Sequence, residues 1–173
     1  MRRTVLLACG CLAVWVLPVA AQEPAKPGRE HELLRKFEGE WDATVKFQGS
    51  ESKAVSHNKV TLGGFWLVTH YKGEFAGAPF EGRGATGYDP AKKKYVGTWI
   101  DSMSASLLVL EGDFDKDRKT FTETGEGPGQ DGKPMKMKGV YEFKDADTTV
   151  FTMYGVAHGK DQEMFQIMYH RKK

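Results

Sequence analysis

The chain has little cysteine. Its two, Cys9 and Cys11, stand near the start, and from Gln22 onward there is none. That excludes a disulfide framework, a thiol nucleophile and a thiolate metal site in everything after the first segment. It also lacks a charge excess. Beyond Arg2 and Arg3, the remaining 23 Lys and Arg balance 23 Asp and Glu. A nucleic-acid binder that works by bulk electrostatics needs a basic surplus, so no nucleic-acid partner is expected. No helical stretch of ten to fifteen residues separates two extended segments, which excludes a parallel crossover sheet. Neither His-Glu-x-x-His nor Gly-x-Ser-x-Gly occurs. With 173 residues there is room for one ordinary domain, not for a TIM barrel.

The one long uncharged run is N-terminal. Met1-Arg2-Arg3 is a positive n-region, Thr4 to Val19 carry no charge, and Val19-Ala20-Ala21 place small side chains where a signal peptidase needs them. The spacing predicts a secretory signal over residues 1–21, cleaved before Gln22. The run is too short for a comfortable bilayer span, which takes about 20 residues. The expectation is a periplasmic or secreted protein with no stable membrane insertion after cleavage. Residues 22–29 read as a polar, disordered leader. Residues 30–173 form a single domain, large enough to bury roughly 68–70% of its unfolded surface.

What is abundant points to strands. There are 20 glycines, 10 Phe, 6 Tyr and 4 Trp, and apolar residues recur with period two between turn signals. Trp41, Ala43, Val45 and Phe47 share a face, and Gln48 to Lys53 read as a polar turn. Val60 and Leu62 share the next face. Phe65, Leu67, Thr69, Tyr71 and Phe75 follow Gly63-Gly64. Met135, Met137, Gly139, Tyr141 and Phe143 oppose Lys136, Lys138, Glu142 and Lys144. Only Glu30 to Phe37 read as helix. About ten short strands at regular spacing predict an all-β fold, an antiparallel up-and-down barrel with a short N-terminal helix. A barrel of that girth need not be filled by its own side chains and has room for one small ligand.

The motifs offer little catalytic chemistry. Gly82 to Gly87 and Gly127 to Gly132 match Gly-x-Gly-x-x-Gly, but neither opens a helix, which a dinucleotide site requires. Asp113, Asp115 and Asp117 repeat at calcium-loop spacing, yet the sixth and twelfth positions are Arg118 and Thr124. The five histidines form no metal-spaced pair. No metal site and no catalytic set is assigned. The face argument instead predicts a ligand-lining set of Tyr71, Trp99, Asp101, Met137, Tyr141 and Met153. Tyr71, Met137 and Tyr141 oppose charged residues that belong in water. Trp99 and Asp101 point in only if Val96, Thr98 and Ile100 point out; the bulk of Trp99 decides for the former. Met153 faces in with Phe151, against Val150 and Tyr154. An inward Asp101 must be paired or ligand-facing.

Phe37-Glu38-Gly39-Glu40-Trp41 resembles the opening motif of the lipocalins and their calycin relatives. The resemblance implies that Trp41 closes one end of the barrel, with Arg171 of the last strand lying over it as a cation over a ring. More of the chain, Glu32 to Lys173, resembles the bacterial family called domain of unknown function 1579. The stretches that carry this are Leu34 to Trp41, Pro79 to Gly84, Gly87 to Asp89, Tyr95 to Met103, Thr124 to Gly127 and Phe151 to Tyr154. The haem-binding nitrobindins, relatives of this barrel, carry a His on the last strand several residues before the closing Arg. Met164 and Phe165 occupy that stretch here, which argues against haem, and no cofactor is expected. The resulting expectation is a lipocalin-like barrel whose partner is a small apolar or amphipathic molecule. The alternatives are an enzyme using a polar group inside the barrel, and a filled barrel that docks another protein.

Overall fold

Alternating faces close on themselves in this protein. The computed structural model describes residues 26–129 and 133–173. The expected signal segment, the leader up to residue 25 and Gly132 of the second glycine motif lie outside them. A helix α1 (Arg29–Leu33) runs into a 3-10 turn (Leu34–Lys36). Ten strands follow: β1 (Gly39–Phe47), β2 (Ser50–Thr61), β3 (Trp66–Phe75), β4 (Ala78–Asp89), β5 (Lys94–Asp101), β6 (Ser104–Phe114), β7 (Thr120–Pro128), β8 (Pro134–Phe143), β9 (Thr148–Ala157) and β10 (Lys160–Arg171). Each pairs antiparallel with its chain neighbours, and β1 also pairs with β10. The result is a closed ten-strand barrel. Closure leaves no strand edge to attract another chain.

The register decides which residues share the interior. Ala43 lies between Ala54 and Tyr169, and Tyr169 is opposite Thr149. Tyr71 lies between Ser56 and Gly82, Trp99 between Gly84 and Leu108, and Tyr141 between Phe121 and Phe151. Large inward side chains often face glycine on a neighbouring strand. A Cβ at Gly82 would come within 2.2 Å of the Trp99 ring, so that ring occupies space which any larger residue would close.

Three local expectations change. Where a six-residue turn is predicted over Gln48–Lys53, only Gln48 and Gly49 turn, both with positive φ (48° and 79°). Two such residues match the right-handed twist of the flanking strands. Strand β2 therefore starts at Ser50, and Lys53 pairs opposite Thr44, its Nζ donating to Thr44 Oγ1 at 2.7 Å. Leu62 does not share the Val60 face; it leaves the strand at φ 50° and is 69% exposed. The helix opens at Arg29 and tightens after Leu33, instead of running unbroken over Glu30–Phe37. Five residues cannot hold a helix alone. Burial of Leu34 (0% exposed) against Leu67, Tyr95 and Phe121 holds it, and Tyr95 donates its hydroxyl to the Glu30 carbonyl at 2.8 Å.

Candidate functional site

One end of the barrel is plugged. Phe37 enters it and packs edge-on to Phe121, Tyr141 and Phe143 at 5.0–5.7 Å. The Phe37 carbonyl accepts hydrogen bonds from Trp41 Nε1 and Asn58 Nδ2, each 2.9 Å. Arg171, opposite Trp41 in the β1–β10 pair, lies 4.1 Å over the Trp41 ring. Its guanidinium also donates to the Glu38 carbonyl and, at 3.1 Å, to that of Ala146. With the Arg171 side chain still 28% exposed and 3.4 Å from the Asp147 carboxylate, this cation over a ring is worth about 0.5–1 kcal/mol. These bonds tie the chain before β1 to the end of β10.

The other end carries no helical plug; Phe75 packs there against Phe47, Phe80 and Phe165 at 5.2–5.8 Å. Phe75, Phe80, Met164 and Phe165 cluster there and are only partly buried. Deeper in, Met137, Tyr141 and Tyr169 keep accessible surface although their strands are hydrogen-bonded on both sides.

The structure brings five of the six expected lining residues into one apolar group: Tyr71, Trp99, Met137, Tyr141 and Met153. The Tyr71 and Trp99 ring centroids are 6.5 Å apart, and those of Tyr141 and Phe151 are 4.4 Å apart. Asp101 stands at the rim of the same wall, opposite Gly82, where β5 ends beside a bulge. Its carboxylate accepts from Trp99 Nε1 (3.1 Å) and from the Met103 amide (2.9 Å). It orients the Trp99 indole and closes the β5–β6 turn.

Glu123 is the acid the sequence reading overlooked. It is 7% exposed and faces the interior between Gly112 and Gly139. A Cβ at Gly112 would come within 2.9 Å of the Glu123 Cβ, and one at Gly139 would come 3.2 Å from its Oε1. The two glycines thus form a niche for the carboxyl. Burial pushes this carboxyl up from 4.5 to about 7, partly offset by a hydrogen bond from Tyr141. Burial also raises the phenols of Tyr141 and Tyr169, and the nearby Glu123 raises both further. Tyr169 is within electrostatic reach of Tyr71 as well. The Tyr71 hydroxyl is buried and has no hydrogen-bond partner. A signal for Glu123 was present: Phe121 is the one large apolar residue of its strand, and period two puts Glu123 on the same face.

No group of three or more His, Cys, Asp or Glu able to hold a metal ion occurs among the described residues. No helix there is long and apolar enough to cross a membrane.

Residues 26–171, nearly the whole barrel and its plug, match one family profile. The chain belongs to the DUF1579 family. Its members are described as proteins of unknown function. No curated protein matches this DUF1579 chain significantly. Among solved structures it is similar to Rv2717c from M. tuberculosis, with a TM-score of 0.58 and 13% identity over 84% of this chain and 99% of that one. It is also similar to the S-type phycobiliprotein lyase CPES from Guillardia theta, with a TM-score of 0.56 and 12% identity over 85% and 99%. At this level of identity the likenesses show a shared fold, the closed antiparallel barrel.

Proposed function

We propose that this DUF1579 barrel binds one small apolar or amphipathic molecule, taken in through the end opposite Trp41 and Arg171. One observation carries the reading. A buried carboxyl and three tyrosines, one with an unpartnered hydroxyl, stand inside a barrel whose other large inward side chains are apolar. A protein interior does not ordinarily leave such a hydroxyl unmet. An apolar wall with a few convergent polar groups is the usual make-up of a small-molecule site. Tyr71, Trp99, Met137, Tyr141 and Met153 would hold the apolar body, and Asp101 would act at the rim through Trp99. From the n-region, apolar run and Val-x-Ala site we also propose that the mature protein begins at Gln22 and lies outside the cytoplasm.

A neutral environment-sensitive dye tests it. Saturable binding at one site is expected, and Met137→Glu should weaken it while the far-ultraviolet spectrum stays that of the wild type. Absence of saturable binding to folded protein would defeat the proposal. N-terminal sequencing of the exported protein should read from Gln22; an N-terminus at Met1 would overturn the export reading.

The Glu123–Tyr141 pair favours a second reading, acid–base chemistry on the bound molecule. A carboxyl held near neutrality suits proton transfer at physiological pH. A molecule recovered unchanged from the purified protein after prolonged incubation would argue for binding alone.

A further inference from the structure

Resting on the binding reading, we infer that the occupant is an amphiphile carrying a primary or secondary amine, its ammonium meeting Glu123 and the tyrosine hydroxyls. Charge selects it first. Among the described residues, Glu123 is the only acid facing the mid-barrel, and no lysine, arginine or histidine faces the interior above the Arg171 floor. A fatty acid or other carboxylate would enter a lumen with no cation to receive it and an acid already inside. Beside a bound carboxylate Glu123 would have to keep its proton, whereas an ammonium meets it ionised.

Hydrogen-bond capacity selects it second. Glu123 receives a bond from Tyr141 and has other acceptor positions left. Tyr71 and Tyr169 reach the same region, and the Tyr71 hydroxyl has nothing to bond to. An ammonium offers two or three donors to one point. A carboxylate and two hydroxyl oxygens offer the matching acceptors. An alcohol offers one donor and leaves most of that capacity unmet. The walls select it third. Tyr71, Phe80, Trp99, Tyr141 and Phe151 present aromatic rings to this space, and ring faces attract a cation while accepting an alkyl or aryl tail.

The experiment displaces the neutral dye with three compounds of one ten-carbon skeleton, the amine, the alcohol and the carboxylate, at neutral pH. The amine should compete at least about tenfold better than the alcohol, the factor one charge-assisted hydrogen bond supplies, and the carboxylate worst. Glu123→Gln should bring the amine-to-alcohol ratio, read by displacement of whatever dye it binds, close to one. Tyr71→Phe should lower the amine's affinity more than the alcohol's, a readout that does not depend on Glu123→Gln folding. Dye binding with no amine preference in the wild type would overturn this inference and leave the binding reading intact. Failure of the dye itself to bind would overturn the binding reading, and this inference with it.

Discussion

Two side chains carry the residue-scale energetics. Glu123 titrates in an unusual direction. Its proton is held more tightly in the folded protein, to about 7, than at the ordinary value of 4.5 in the unfolded chain. The unfolded state therefore binds fewer protons between those values, and stability falls as pH rises from about 4.5 to about 7, then levels off. The size of the effect is roughly 3 kcal/mol, as a two-to-three-unit displacement implies. Urea unfolding of wild type and Glu123→Gln at pH 5 and pH 8 should show the variant gaining relative stability at the higher pH by an amount of that order. An equal difference at both pH values would contradict it. Tyr71 makes a complementary case. Its hydroxyl is buried without a partner, so Tyr71→Phe should stabilise the empty protein by about 1 kcal/mol. A loss of stability would mean that the hydroxyl has a structural partner after all.

Elements here hold one another in place more than they hold themselves. The short helix and its 3-10 turn survive because Leu34 and Phe37 plug the barrel, and because Trp41, Asn58 and Arg171 bond to carbonyls of that same segment. Trp41 is central to this joint, being 3% exposed and in contact with both the Phe37 carbonyl and Arg171. Trp41→Ala should cost about 3–5 kcal/mol, as truncation of a large core aromatic does. Chemical denaturation measures it, and a loss below about 1 kcal/mol would place Trp41 among surface-like positions. Strand β4 shows the reciprocal arrangement. Its Gly82 and Gly84 carry no side chain because the Trp99 indole of β5 lies over them. A glycine pattern that resembles a phosphate-binding loop is here a paved floor for an aromatic ring.

For the whole molecule, closure is the governing fact. The first strand pairs with the last, Trp41 to Arg171 through Lys46 to Gln166. That seam is the longest-range contact the barrel makes, and loop-closure entropy must be overcome before it forms. Refolding of the described domain should thus take milliseconds to seconds, as for other folds built on non-local pairs. Stopped-flow fluorescence of the tryptophans would follow it, and completion within microseconds would show that the seam does not limit folding.

The sequence alone settled the class of fold. Period-two alternation, turn residues and the absence of long amphipathic stretches required an antiparallel meander, and its number of strands was legible because all connections but that of β5 to β6, Ser102-Met103, are glycine or charged turns. It also indicated the inward faces of β3 and β8, since Lys72, Glu74, Lys138 and Glu142 belong in water and Tyr71, Met137 and Tyr141 stand opposite them. What it left open was anything that depends on register between strands. Face preference says which way a residue points along one strand; it does not say which neighbours stand beside it. Asp101 was legible as an inward acid, yet only a bulge and the turn to Ser104 carried it to the rim. Glu123 looked like one more charge on a polar strand. Pairing with Gly112 and Gly139 made it a buried one, because two missing side chains on adjacent strands opened the space that its carboxyl fills.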